Sequence, residues 1–66
     1  MRFSVFVKSE YGAAWQLDTE TDKRTVAFAA AADAVEAPRN NWDALVCDES
    51  GTIVLDHRNP FGRDAL

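Results

Sequence analysis

The chain has 66 residues, eleven acidic and seven basic, for a net charge of −4, and 47% of it is hydrophobic. That length makes a single domain near the size at which folding buries only about 60% of the unfolded surface. The acidic balance speaks against unaided nucleic-acid binding, which draws on clustered Lys and Arg, and the single cysteine excludes an internal disulfide framework.

Eleven of the hydrophobic residues are alanine, so the core is small, with a net stability of about 3–5 kcal/mol. Met1-Arg2-Phe3-Ser4-Val5 lacks the apolar run and cleavage site of a signal peptide, and no segment reaches the roughly 20 apolar residues of a membrane span. One thiol fits a reducing compartment. The expectation is a small, soluble, cytoplasmic domain over residues 1–58, with a short tail over 59–66.

Arg2 to Lys8 alternates as a strand, with Phe3, Val5 and Val7 on one face and Phe6 on the other. Ser9-Glu10-Tyr11-Gly12 supplies a turn, and Ala13 to Asp18 reads as the returning strand with Ala13, Trp15 and Leu17 inward. The polar run Asp18-Thr19-Glu20-Thr21-Asp22 offers helix N-caps, Thr21 foremost. From about 22 to 37 the period changes: the alanine run favours a helix, and Phe28, Ala31, Ala32 and Val35 form its core-facing stripe. Pro38 stops it, and Arg39-Asn40-Asn41 leads into a last hairpin.

That hairpin reads in register. Ala44-Leu45-Val46-Cys47 and Thr52-Ile53-Val54-Leu55 flank Asp48-Glu49-Ser50-Gly51, a turn in which Gly51 takes the left-handed position. Cys47 then pairs with Ile53 and Leu45 with Leu55 on one face, and Val46 with Val54 on the other. The strand, strand, helix, strand, strand order predicts an α+β fold, a four-stranded antiparallel sheet backed by one helix. Its covered face is expected to collect Phe3, Val5, Val7, Trp15, Leu17, Phe28, Val35, Leu45, Cys47, Ile53 and Leu55.

No catalytic or metal motif is present. Cys47 and His57 are the one candidate thiol–imidazole pair, and the register separates them by about 13 Å. One Cys and one His cannot build a closed structural zinc site, and no phosphate-binding glycine loop occurs. Carboxylate pairs such as Asp48-Glu49 sit at a turn and have no cleft to act in. The reading is a non-enzyme without cofactor or metal, and Cys47 is expected to be a buried packing residue.

What remains is surface. The uncovered face of the sheet would show Phe6, Trp42, Val46 and Val54, ringed by Lys8, Gln16, Asp18, Asp48 and Asp56, and such a patch suggests an interface. The C-terminal tail with Phe61 and Leu66, or a second copy, could cover the same face. Asp18, Glu20 and Asp22 fall at every second residue and make a second, acidic candidate. The partner-binding set is therefore Phe6, Trp42, Val46, Val54, Asp18, Glu20, Asp22, Asp48 and Asp56.

From Met1-Arg2-Phe3-Ser4-Val5-Phe6-Val7-Lys8 through the Asp48-Glu49-Ser50-Gly51 hairpin, the whole chain resembles the small anti-CRISPR proteins of phages and mobile elements of Pseudomonas-like bacteria. It is similar to those acting on type I-C systems. The likeness is overall and rests on no shared motif, so no binding residues carry over from it. It implies a stoichiometric inhibitor that binds Cas protein of a type I surveillance complex, or its nuclease, and blocks DNA targeting; a monomer in solution is expected, and the acidic charge speaks against direct contact with nucleic acid. The alternative is a small bacterial regulatory domain that dimerises, or binds a protein, through its open sheet face.

Overall fold

A computed structural model describes residues 1–56. His57, the expected tail with Phe61 and Leu66, and hence the Cys47–His57 separation, lie outside the described residues. The elements run β1 (Phe3–Lys8), β2 (Gln16–Thr21), α1 (Arg24–Val35), β3 (Asp43–Cys47) and β4 (Ile53–Asp56). The four strands form one antiparallel sheet in the order β2-β1-β3-β4, with α1 against one face, the α+β architecture that the change of period predicts. Among the described residues no helix is long and apolar enough to cross a membrane.

Strand β1 alternates as expected, with Phe3, Val5 and Val7 buried. The helix starts two residues later and ends two earlier than expected, at Arg24 and Val35. Thr21 is not its N-cap: Lys23 holds that position without a side-chain bond, and Thr21 Oγ1 accepts the Lys23 N–H instead. At the other end the Asn41 N–H and Nδ2 both donate to the Ala34 carbonyl, satisfying one of the acceptors that a helix end leaves open. The face turned to the sheet is built from Ala27, Ala31, Ala34 and Val35, with Phe28 at its margin and Ala32 only half-buried.

Those alanines decide the phase of β3. A helix whose contact surface carries mostly methyl groups sits close to the sheet, and the space beneath it admits Ala44 and Val46, both fully buried. Pairing with β1 fixes the same choice, because Val7 lies opposite Ala44, Val5 opposite Val46, and Phe6 opposite Leu45. Leu45 and Cys47 therefore point away from the helix, opposite to the sequence expectation. Val46 is core and not open surface.

The last hairpin keeps the expected Cys47–Ile53 pair and left-handed Gly51 (φ +86°). An irregularity between Val46 and Cys47 then shifts the ladder by one, so that Val46 faces Leu55 and Leu45 faces Asp56. Val54 is the extra residue, and both it and Leu55 pack on the core margin. The turn is held by Asp48, whose Oδ1 accepts from Ser50 N–H (2.9 Å), Ser50 Oγ (2.6 Å) and Thr52 N–H (3.0 Å).

Strand β2 begins at Gln16, three residues later than expected, leaving Trp15 ahead of it and 40% exposed. A bulge falls at Asp18, between the Phe6–Leu17 and Val5–Thr19 pairs. Leu17 thus shares Phe6's side of the sheet and is 54% exposed, so neither Trp15 nor Leu17 is the core residue expected.

Candidate protein-binding surface

The register places two rows across the face away from the helix. Leu17, Phe6, Leu45 and Asp56 form one; Glu20, Ser4, Cys47 and Ile53 form the next. Phe6, Leu45 and Cys47 are half-buried by their neighbours, while Leu17 and Ile53 are more than half exposed. Five apolar side chains on one sheet face that no described residue covers make a contiguous patch, unlike the scattered apolar residues normal on a surface.

At one end the patch opens into a groove of about 490 Å³. Phe6, Ser4 and Cys47 line it, between Arg2 and Glu20 on one side and the turn residues Asp48, Glu49 and Gly51 on the other. Arg2 Nε donates to Glu20 Oε2 at 3.5 Å, and the Arg2 N–H donates to Glu49 Oε1 at 3.0 Å. Hydrogen bonds from Ser50, and from the backbone N–H groups of the turn, hold the Asp48 carboxyl below its ordinary value, so this rim stays anionic.

The opposite end carries an aromatic–lysine cluster. Lys8 Nζ lies 5.4 Å from the Trp15 ring centroid and 5.5 Å from that of Trp42, and Tyr11 meets Trp42 at 5.6 Å with the rings tilted by 59°. Both indole contacts are within cation–π range. Trp42 itself is buried, so it supports Lys8 and Tyr11 from behind and is not part of an exposed patch.

Of the nine residues expected to bind a partner, the structure places Phe6, Glu20, Asp48 and Asp56 on or around this face. It removes Val46 to the core, Val54 to its margin and Trp42 to the buried cluster, the first because of the alanine-set phase of β3 and the second because of the bulge. The expected acidic row of Asp18, Glu20 and Asp22 does not form. The bulge turns Asp18 out of step, where it accepts from Arg39 Nη2 at 2.6 Å and Nη1 at 3.4 Å, and Asp22 lies beyond the end of β2. Leu45, Cys47 and Ile53 belong to the patch against the sequence expectation, because both faces of the last hairpin are apolar and alternation alone cannot choose between them; Leu17 joins them through its pairing with Phe6 beside the β2 bulge. Cys47 lines an open groove and is half-buried, not a core residue.

The Asp18–Arg39 fork ties β2 to the loop after the helix, and hydrogen bonding from the guanidinium holds the Asp18 carboxyl below its ordinary value against the opposing effect of burial. A carboxyl lowered on folding stabilises the fold above its unfolded pKa, about 3.9, and loses that contribution as pH falls through the folded value. Asp18→Asn should lower stability by about 0.5–1 kcal/mol at neutral pH, the figure for a forked but partly exposed pair. Urea unfolding of wild type and variant should converge below about pH 3. An equal gap at pH 2 and pH 7 would show that the pair's charge contributes nothing.

Among the described residues no three His, Cys, Asp or Glu side chains gather as a metal site. What the surface offers chemically is an apolar strip with a carboxylate rim at one end and an ammonium at the other. Comparison with protein-family models, with curated proteins and with solved structures finds no match to this chain.

Proposed function

We propose that this chain is a stoichiometric protein-binding inhibitor that docks through its open sheet face, and that its partner is a Cas protein of a type I effector complex or the nuclease that complex recruits. The observation that carries the binding reading is the Leu17–Phe6–Leu45 row with Ile53 beside it, an apolar strip that none of the described residues covers, on a domain too small to leave one without cost. The whole-chain likeness to anti-CRISPR proteins supports the partner. No nucleic-acid contact is needed, since the net charge of −4 repels phosphate.

The test is a titration of the purified protein into an assembled type I-C complex with its nuclease, reading target-DNA binding and cleavage. Inhibition should reach its endpoint near one equivalent. Full inhibition at amounts far below the complex would mean turnover, and no inhibition at several equivalents would remove the Cas partner.

A further inference from the structure

We propose that the open face is polarised, and that its occupant is a larger partner protein presenting an apolar patch flanked by a carboxylate, which meets Lys8, and an Arg or Lys side chain, which enters the groove beside Glu20 and Glu49. This rests on the open face being the docking surface. The two ends are set by β1 itself, where Ser4 in the groove and Lys8 are four residues apart, about 13 Å along the strand.

Each end carries its own chemistry. The groove floor of Phe6 and Cys47 suits the methylene stem of a basic side chain, whose head then reaches the carboxylate rim. Among the described residues Glu20, Asp48 and Glu49 outnumber the cations beside them, Arg2 and the terminal ammonium 3.9 Å from Glu49 Oε1, so negative charge is left over. At the other end, Lys8 lies against two indole rings and makes no ion pair among the described residues. Asp43, opposite Lys8 in register, is buried and accepts the Ala44 N–H. A uniformly anionic partner would be repelled at the groove, and a uniformly basic one at Lys8.

A second copy could also match these charges across a two-fold axis, but the area argues against it. Strands of six, six, five and four residues, about 4.8 Å apart and about 3.4 Å per residue, give a face of about 340 Å², less than half of the roughly 800 Å² that each side of a stable interface contributes. Two copies of charge −4 also repel. A larger partner can extend contact onto exposed Tyr11 and Trp15 and onto the β3–β4 turn.

Three measurements decide the matter. Light scattering should report the 7.3 kDa chain mass up to millimolar concentration; twice that mass, reverting in Phe6→Ala, would make a second copy the occupant and overturn the proposal. Amide chemical shifts should respond at Cys47 and Gly51 to N-acetyl-arginine amide, and at Lys8 and Trp15 to N-acetyl-glutamate amide. Both probes acting at one end, or neither acting anywhere on the face, would overturn the polarity. Against the type I-C complex, Lys8→Glu and Glu20→Lys should each weaken binding by about fivefold to tenfold, with the loss shrinking as salt rises. A Lys8→Glu protein that binds more tightly would point to a wholly basic partner surface and overturn it. If wild type does not bind that complex, the Cas reading fails, while the probe and mass measurements still decide the polarity.

Discussion

Val46→Lys should leave the chain unfolded at 25 °C, while Leu45→Lys, one residue earlier on the same strand, should fold. Val46 is fully buried between β1, β4 and the helix, opposite Val5 on one side and Leu55 on the other. A lysine there must either carry its charge into an apolar interior or give up its proton, and both cost several kcal/mol. The whole fold holds only about 3–5 kcal/mol, so little native state should remain. Leu45 lies half-buried on the open face, and a lysine at that position can lift its ammonium into water and face Asp56. Circular dichroism and amide shift dispersion separate the two variants at once. A folded Val46→Lys beside an unfolded Leu45→Lys would mean that β3 runs in the opposite phase, with Leu45 and Cys47 in the core.

Much of this architecture was legible in the residues, and the reasons it stopped being legible are physical. β1 has alternating large and polar side chains, so its phase is unambiguous; the alanine run marks the helix; Asp48 and Gly51 mark the turn. β3 and β4 are apolar on both faces, and their phase is set by something no local window contains, the close approach of an alanine-faced helix together with pairing to β1. A single bulge residue, Val54, then shifts the ladder by one, which brings Leu55 opposite buried Val46 and leaves both side chains at the core margin. The bulge in β2 also has a remote partner, since Asp18 is held by Arg39, 21 residues away. The candidate site carries the same ambiguity. Phe6 lies on the strand whose phase is unambiguous and on the open face, whereas alternation alone puts Val46 and Val54 on a surface that Leu45, Cys47 and Ile53 occupy.

Phe6→Ala should weaken binding of the effector complex by at least about thirtyfold, the equivalent of roughly 2 kcal/mol for an aromatic at the centre of an interface. Phe6 has that position: Leu17 and Leu45 flank it across the sheet, Cys47 lies beside it, and it lines the groove. Because Phe6 is half-buried, its loss also takes some stability, so Leu17→Ser provides the control. Leu17 is 54% exposed and lies on an edge strand; the serine should cost little stability and still lower affinity by about tenfold. Trp42→Ala should behave in the reverse way, destabilising the fold through the lost Tyr11 and Lys8 contacts before it affects docking. Among the acids the effects should separate as well: Glu20→Lys should weaken binding, whereas Asp22→Lys, beyond the end of β2, should be nearly silent. Melting curves and calorimetric titration of each variant resolve stability from affinity. If Phe6→Ala and Leu17→Ser both stay folded and inhibit like wild type, the partner does not dock on the open sheet face.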